Sequence, residues 1–269
     1  MNTPNQSTCQ NCETGKKPRW DILNKIMNHT DTKKTTNFMN YGYKSLPEDE
    51  EINLLHDDEK NRYFIQLYDH AVSKVDLHYK DILEVGSGRG GGASYINRYY
   101  APKTYTGLEG SNNLAKFCNS YYNEPGLSFI KGSEEILPFD KESFDFVINI
   151  GSAQFYHDLP KFFNEVYRVL RKESVFIFAD IIEKRKLETV KHHLRMAGFT
   201  IEFKKDITTN IVAFIKDEPL HEYKFKKERI PGFMKKAFSP FIKTKDPDVS
   251  ESLLNENLIY MSFILKKIN

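Results

Sequence analysis

A short apolar run, Asp81–Val85, passes directly into the glycine-rich stretch Gly86–Gly92, and a helical pattern follows. Glycine tolerates left-handed backbone and leaves no Cβ in the way, so a strand, a glycine turn and a helix in this order bring backbone amides close to a ligand. The acid Glu84 precedes the turn. The third glycine of the turn, Gly90, comes one residue earlier than the dinucleotide fingerprint G-x-G-x-x-G requires. No Gly-Lys-Ser/Thr phosphate cradle is present, so the loop predicts an adenosine ligand without a pyrophosphate.

Short apolar runs alternate with helical segments from residue 81 to residue 205. This rhythm is typical of βαβ units, in which helices cover both faces of a mostly parallel sheet. The predicted strands are Asp81–Val85, Thr104–Leu108, Leu127–Lys131, Phe144–Ile150, Ser174–Ala179, Thr200–Lys205 and Leu258–Leu265. The predicted helices are Gly92–Tyr99, Asn112–Tyr122, Leu159–Leu170 and Lys184–Met196. We therefore expect an α/β fold with a doubly wound, Rossmann-like sheet of seven strands.

Composition divides the chain into further segments on either side of this core. The apolar positions between Leu46 and Leu77 recur at helical spacing, which predicts a helix that leads into the core. Aromatic residues, prolines and a basic cluster interrupt the rhythm before the last strand, and long insertions of this kind serve as lids or binding elements. The expected parts are a flexible tail at 1–35, an N-terminal helical arm over the ligand at 36–78, the ligand-binding core at 79–207, a helical substrate lid at 208–256 and the final core strand at 257–269.

The charges of the chain are nearly balanced, with 39 Lys and Arg against 37 Asp and Glu. Such a balance gives no support for nucleic acid as a partner. No stretch reaches the roughly 18 consecutive apolar residues of a membrane span, so at most peripheral membrane contact is expected. Three cysteines cannot build a disulfide framework, which favours a cytoplasmic location. Cys9 and Cys12 have the spacing of half a zinc site, but no second half follows and no metal is expected.

A second acid, Glu109, ends the second predicted strand and is followed by Gly110. In doubly wound folds, a carboxylate at this place accepts hydrogen bonds from both ribose hydroxyls of a bound nucleoside. Parallel strands present their carboxyl ends at one edge of the sheet, where open α/β folds bind ligands. The loops that follow the first four strands are therefore expected to line one site.

These motifs, in this order, resemble the class I S-adenosylmethionine-dependent methyltransferases over roughly residues 80–182. Several stretches are similar to the phthiotriolone/phenolphthiotriolone dimycocerosates-type branch of small-molecule and lipid methyltransferases: Gly90–Tyr95, Tyr105–Leu108, Leu137–Asp140, Ser143–Asp145 and Phe162–Leu170. Upstream, Asn37–Tyr43 is similar to the N-terminal Asn-x-Gly-Tyr element of that branch. The resemblance implies the methyltransferase sheet, S-adenosyl-L-methionine as cofactor and methyl transfer as the activity.

The resemblance also implies which residues hold the cofactor: Tyr41, Tyr43, Glu84, Gly86, Ser87, Gly88, Gly90, Glu109, Gly110, Ser133, Glu134, Asn149 and Ile150. Glu84 would support the glycine loop from below. Ser133 stands where relatives usually carry Asp, so its hydrogen bond to adenine would be weaker. Tyr41 and Tyr43 either close over the sulfonium, which an aromatic face attracts, or anchor the arm to the core.

Methyl transfer is an in-line displacement, so the protein aligns the two reactants and removes a proton where the acceptor carries one. The candidate catalytic residues are His157, Tyr156 and Gln154, with Asp180 and His221 as further candidate bases. The related branch carries Glu and His where this chain has Gly151 and Gln154, and an amide is not a base at neutral pH. His157 would take over the role of base. In the alternative interpretation, Asp158 caps the next helix and His157 only lies in the loop before it.

The sequence predicts a methyltransferase for a small apolar, lipid-like or polyketide-like acceptor, with oxygen as the expected atom. Nucleic-acid amino methyltransferases carry Asn/Asp-Pro-Pro-Tyr after the fourth strand, whereas this chain has Asn-Ile-Gly-Ser at 149–152. Carbon or nitrogen acceptors remain alternatives, as does a catalytically silent cofactor-binding protein, because Ser133, Gly151 and Gln154 depart from the related pattern. A homo-oligomer built through the N-terminal arm is also left open.

Overall fold

The computed structural model describes residues 37–217 and 252–268, which form a seven-stranded sheet in the order β3-β2-β1-β4-β5-β7-β6. The strands are β1 (Asp81–Val85), β2 (Thr104–Glu109), β3 (Leu127–Lys131), β4 (Phe144–Ile150), β5 (Leu170–Glu183), β6 (Phe199–Asp206) and β7 (Leu258–Lys267). The helices are α1 (Arg62–Val72), α2 (Gly91–Tyr100), α3 (Asn112–Tyr121), α4 (Leu159–Val169), α5 (Leu187–Met196) and α6 (Thr208–Asp217). Only β7 runs antiparallel to its neighbours within this sheet. The expected doubly wound fold is confirmed.

Some expectations fall on parts of the chain outside the described residues. These are the tail at 1–35 with Cys9 and Cys12, which was expected to be flexible, and residues 218–251 of the expected lid, which include His221. Within the described ranges, no helix is long and apolar enough to cross a membrane.

Most predicted elements differ from the structure by a few terminal residues, and two differ more in extent. The helix expected between Leu46 and Leu77 is confined to α1 and a 3₁₀ turn at His56–Asn61. The chain before it forms a tight turn instead, since Pro47 disfavours a continuous helix and the Asp49 carboxylate accepts a hydrogen bond from the Leu46 amide (2.9 Å).

Strand β5 starts earlier than the predicted Ser174. Leu170 already pairs with Phe144, and the register then shifts before Val175 pairs with Phe146. Glu173 has a positive φ of 57° in this interval, which bends the strand in a way that apolar patterning does not reveal.

Helices cover both faces of the sheet, and the apolar residues form a core on each side. On one side, α1, α2, α3 and α6 pack against the sheet together with the N-terminal arm. On the other side, α4 and α5 bury a second cluster that includes Phe162, Phe163 and Val166. Asp158 caps α4 by accepting from the Lys161 amide (2.9 Å), and Pro160 lies in its first turn.

The N-terminal arm is tied to α6 by a polar junction. Asp49 accepts hydrogen bonds from the Tyr43 hydroxyl (3.0 Å) and from the Asn210 amide group (2.8 Å). The Lys44 amide in turn donates to the Asn210 carbonyl (3.2 Å). Gly42, with a φ of +71°, leaves room for the Phe214 ring of α6, which a Cβ would meet at 2.5 Å. The arm and α6 therefore form one unit beside the carboxyl edge of the sheet.

Candidate cofactor and active site

The glycine turn after β1 is shaped by its packing on both sides. Gly86 and Gly90 have φ values of +77° and +79°, a region that side chains rarely adopt. A Cβ at Gly86 would overlap the Ser152 hydroxyl, and one at Gly90 would lie 2.6 Å from the Tyr122 ring and 2.8 Å from the Phe129 ring. These two glycines let the turn sit tightly against β4 and against the α3–β3 layer.

Gly88 is the turn glycine with the most space around it. Its φ is +56°, and a Cβ there would make only an ordinary contact of 3.4 Å with the Met39 sulfur of the arm. The arm also reaches the start of α2, where the Asn37 carbonyl accepts a hydrogen bond from the Gly91 amide (3.1 Å). Met39 and Asn37 thus bring the arm over the loop, a contact that the sequence analysis did not identify.

Glu109, at the end of β2, is joined to the glycine turn. Its carboxylate accepts hydrogen bonds from the Gly88 amide (3.0 Å) and the Ser111 amide (3.4 Å). Burial raises the pKa of Glu109 to about 7, and the nearby negative charge of Glu134 acts in the same direction. Because each carboxylate oxygen has two acceptor positions, the group keeps capacity for two more donors. The space around Gly110 is open, since a Cβ there would meet nothing within 4 Å.

A polar cluster lies behind the turn at the end of β4. The amide nitrogen of Asn149 is within hydrogen-bond distance of the Val85 carbonyl (2.9 Å), the Ser152 hydroxyl (2.7 Å) and the Tyr156 hydroxyl (2.8 Å). Asn149 is fully buried, and its Oδ1 has no partner among the described residues. The hydroxyl oxygen of Ser87, also buried, has none either within the described chain. Two buried polar atoms beside the glycine turn therefore suit a ligand with its own polar groups.

The third loop supplies Ser133 and Glu134. The Ser133 hydroxyl accepts a hydrogen bond from the Glu135 amide (3.3 Å), so it is engaged in its own turn. Glu134 is half-buried and close enough to Glu109 to influence its titration. Ile150 is buried and paired in register with Ala179 of β5, which leaves its side chain in the core.

Glu84 lies below the turn and not at the open edge. It is fully buried, and its two carboxylate oxygens accept hydrogen bonds from the hydroxyls of Tyr68 (2.8 Å) and Tyr105 (3.0 Å). Burial raises the pKa of Glu84 to about 7. These contacts place Glu84 below the glycine turn, with one tyrosine hydroxyl bonded to each of its carboxylate oxygens.

The two arm tyrosines have different surroundings. Tyr41 donates to the Gln154 side-chain oxygen (3.2 Å), and its ring lies 6.1 Å from that of Tyr260 in β7. Burial raises the pKa of Tyr41 to about 12. Tyr43 points into the core, donating to Asp49 and stacking on His70 at 4.8 Å. Of the two interpretations of these tyrosines, the contacts of Tyr43 favour the one in which it anchors the arm to the core.

The candidate catalytic residues do not come together as a group. The Tyr156 hydroxyl is 2.9 Å from that of Ser152 within the buried cluster, and burial raises its pKa well above the ordinary value. The hydroxyl is therefore engaged within the cluster and stays protonated at neutral pH. His157 is exposed in the loop before α4 and makes no hydrogen bond to another described residue, as expected if Asp158 only caps that helix. Of the three candidates, only Gln154 forms a hydrogen bond with the described part of the N-terminal arm, through the Tyr41 hydroxyl.

Asp180, at the end of β5, organises the turn that carries Gln154. Its carboxylate is 1% exposed and accepts from the backbone amides of Ala153, Gln154 and Ile181. Burial raises the pKa of Asp180 to about 7. These bonds fix the 3₁₀ turn Ala153–Phe155 against the sheet.

Tyr260 was missed because its apolar strand resembles any buried strand in sequence. It is fully buried, and its hydroxyl would lie 3.3 Å from a Cβ at Gly151. The sequence could have shown that Tyr260 faces the same side of the sheet as Tyr41 only if the register of β7 were known.

Known proteins share both this sequence and this fold. The methyltransferase domain family matches residues 83–178. The phthiotriol/phenolphthiotriol dimycocerosates methyltransferase of Mycobacterium tuberculosis is 32% identical over 230 residues, covering 86% of this chain and 85% of the relative. A fatty-acid O-methyltransferase of Mycolicibacterium smegmatis is 43% identical over 143 residues, covering 53% of this chain and 52% of that one. The crystal structure of the [4+2]-cyclase SpnF superposes with a TM-score of 0.70 at 16% identity, covering 93% and 94% of the two chains.

The fold, the glycine turn and the acid after β2 are those of a class I S-adenosylmethionine-dependent methyltransferase, and S-adenosylmethionine is the cofactor of this enzyme. The chain belongs to the family that includes the phthiotriol/phenolphthiotriol dimycocerosates methyltransferases. The similarity to SpnF shows the shared fold alone. The residues at the edge fit the cofactor, since Glu109 retains free acceptor positions, Gly88 has an open face, and two buried polar atoms lack partners.

Proposed function

We propose that this enzyme transfers a methyl group to an oxygen atom of a small, apolar, lipid-like acceptor. The observation that carries the proposal is the apolar character of the edge beside β4. There Phe155 leaves 48% of its surface exposed next to Gln154, and the partly buried Tyr41 ring packs on the fully buried Tyr260 ring with 6.1 Å between the ring centroids. Apolar walls with few polar groups are usual for small organic ligands. The name of the fatty-acid O-methyltransferase relative supports the same acceptor class.

The cofactor supplies an electrophilic methyl group on a positively charged sulfur. In the proposed arrangement, Glu109 accepts the ribose hydroxyls, and the Ser87–Gly88 part of the turn lies against the ribose and the methionine portion. Asn149 provides a buried oxygen near the methionine portion, and Glu134 flanks the adenine. These assignments rest on the free acceptor capacity and the unpartnered atoms described above.

Calorimetric titration with S-adenosylmethionine tests this arrangement. We expect Glu109→Ala to weaken binding by roughly tenfold or more, because charge-assisted hydrogen bonds contribute about 1.5–3 kcal/mol each. Gly88→Arg should also weaken binding, since it fills the open face of the turn. Glu202→Gln, which removes an exposed charge on β6, is the matched control. Unchanged affinity in both site variants would refute the placement.

Release of S-adenosylhomocysteine in the presence of fatty acids, phenols and polyketides tests the transfer itself, with mass spectrometry identifying the methylated atom. A methyl ester or ether is the expected product. Methylation at carbon or nitrogen would contradict the choice of oxygen. Tight cofactor binding without turnover on the whole panel would favour a catalytically silent binding protein.

The remaining partner assignments stay predictions: a small-molecule acceptor, no nucleic acid, at most peripheral membrane contact, a cytoplasmic location and an open question of homo-oligomerisation.

A further inference from the structure

The described part of the N-terminal arm begins on the glycine turn. The Asn37 carbonyl accepts a hydrogen bond from the Gly91 amide (3.1 Å), and the Met39 sulfur is the atom that a Cβ at Gly88 would meet first, at 3.4 Å. In the proposed arrangement the methyl donor lies against Gly88, so it borders Met39 as well. Contacts between the donor and Met39 would then add to the contacts that hold the arm on the turn.

The same stretch of chain ends on the turn after β4, Ala153–Phe155. The Tyr41 hydroxyl donates to the side-chain oxygen of Gln154 (3.2 Å), and the Tyr41 ring packs on that of Tyr260. Burial raises the pKa of Tyr41 to about 12, so the hydroxyl remains a donor at neutral pH. The arm thus contacts both the loop that is proposed to hold the donor and the turn beside which the acceptor is proposed to bind.

The orientation of the Gln154 side chain depends on the arm. Its Nε2 donates to the Gly151 carbonyl (3.2 Å), and its backbone amide donates to the Asp180 carboxylate (3.2 Å). Asp180 also accepts from the Ala153 amide, so the backbone of the turn is fixed on the sheet. The exposed side chain is held between Tyr41 on one side and Gly151 on the other, and loss of either contact would free its rotation.

We propose that Tyr41 and Gln154 are positioning residues that couple the two halves of the site, so that a bound methyl donor strengthens the binding of the acceptor. The donor stabilises the arm on the glycine turn, and the seated arm orders the Gln154 side chain before the acceptor arrives. The acceptor then binds without the entropic cost of ordering that side chain. The inference rests on the proposed placement of the donor at Gly88 and of the acceptor beside Gln154.

Hydrogen exchange followed by mass spectrometry tests this coupling without an acceptor. Saturation with S-adenosylhomocysteine should slow exchange in segment 86–91, which the ligand is proposed to contact, and also in segment 153–157. In Tyr41→Phe, which removes only the hydroxyl, we expect the slowing to persist at 86–91 and to be largely lost at 153–157. The matched control is Tyr79→Phe, which alters an exposed tyrosine before β1 and should behave like the wild type.

Calorimetry measures the coupling itself. Hexadecanoic acid serves as the acceptor probe, together with S-adenosylhomocysteine, which has no methyl group to transfer. We expect S-adenosylhomocysteine to strengthen the binding of the acid by roughly two- to tenfold, the range that corresponds to ordering one side chain. By linkage, the acid should strengthen the binding of S-adenosylhomocysteine by the same factor. This factor should fall nearly to one in Tyr41→Phe and in Gln154→Leu, and stay at the wild-type value in Tyr79→Phe.

The double variant distinguishes one shared hydrogen bond from two independent contacts. If Tyr41 and Gln154 act through the bond between them, the double variant should lose no more coupling than either single variant. With saturating S-adenosylmethionine, KM for hexadecanoic acid should rise several-fold in each variant, with a smaller change in kcat. Urea unfolding measures the stability of each variant separately, and a less stable variant that keeps the full coupling factor would reduce the role of its residue to a structural one and overturn the inference.

Unchanged slowing at 153–157 in Tyr41→Phe would overturn the inference, as would additive effects in the double variant. If S-adenosylhomocysteine slows exchange at neither segment, the proposed placement of the donor fails, and the inference fails with it. If the exchange pattern changes as expected although hexadecanoic acid does not bind, the proposed acceptor class fails, and the link between the arm and the turn stands.

Discussion

Replacement of Glu84 by glutamine should make the protein more stable at alkaline pH. Glu84 is fully buried, and its oxygens are bonded to the hydroxyls of Tyr68 and Tyr105. Burial raises its pKa from 4.5 to about 7, because the charged form is poorly solvated in the core. Glutamine has the same shape and keeps an oxygen that accepts from one tyrosine, while its amide can donate to the other hydroxyl oxygen.

The sign follows from proton linkage. Since the folded-state pKa lies above the unfolded value, the folded protein binds more protons between about pH 4.5 and pH 7, and its stability falls as the pH rises through this window. A shift of this size corresponds to about 3 kcal/mol of destabilisation above pH 7, and to none well below pH 4.5. Glu84→Gln lacks this penalty. We expect it to exceed the wild type by about 2–3 kcal/mol in free energy of unfolding at pH 8, with the difference shrinking towards pH 5.

Urea unfolding followed by circular dichroism at pH 5, 6, 7 and 8 measures the effect. Asp180 contributes equally to both proteins, so its titration cancels in the difference between variant and wild type. The negative charge of Glu109 helps to raise the pKa of Glu84, so the difference includes the repulsion between these two carboxylates. Glu202→Gln, which removes an exposed carboxylate, controls for the loss of one charge. A Glu84→Gln difference that does not change with pH, or that is destabilising at pH 8, would show that the buried carboxyl is not the source of the linkage.

Two further predictions follow from the glycine turn and its acid. Gly92→Ala should lower the free energy of unfolding by about 1–3 kcal/mol, because its Cβ would overlap the buried Tyr68 ring. The control is Gly110→Ala, which lies in open space and should leave the urea midpoint nearly unchanged. Equal effects of the two substitutions would contradict this packing. The affinity for S-adenosylmethionine should fall by up to tenfold per pH unit below about pH 7, since only ionised Glu109 accepts hydrogen bonds from both ribose hydroxyls. Calorimetry at several pH values should find this dependence in the wild type and not in Glu109→Gln.

Local sequence patterns were sufficient for the sheet and for its ligand edge. The strands β1, β3 and β4 have the predicted bounds, because each is a compact apolar run between turn residues. The placement of Glu109 beside Gly88 followed from the topology of parallel strands, whose carboxyl ends meet at one edge.

The surroundings of individual side chains were not predictable in this way. Tyr41 and Tyr43 are only two residues apart, and Gly42 between them has a positive φ, so one ring reaches Gln154 while the other enters the core. Neither the contact of Tyr41 with Tyr260 nor the hydrogen bond from the Tyr156 hydroxyl to the Val85 carbonyl has a local signal, since each joins segments that are distant along the chain.

The junction at Asp49 links two parts of the enzyme that have different tasks. The arm reaches over the glycine turn through Met39, while α6 ends at Asp217, the last residue described before the insertion. Because Asp49 and Asn210 bind the arm to α6, the arm cannot move away from the glycine turn without carrying α6 along or breaking these hydrogen bonds. A single carboxylate, that of Asp49, thus ties the part of the chain that overlies the cofactor loop to the helix that precedes the insertion.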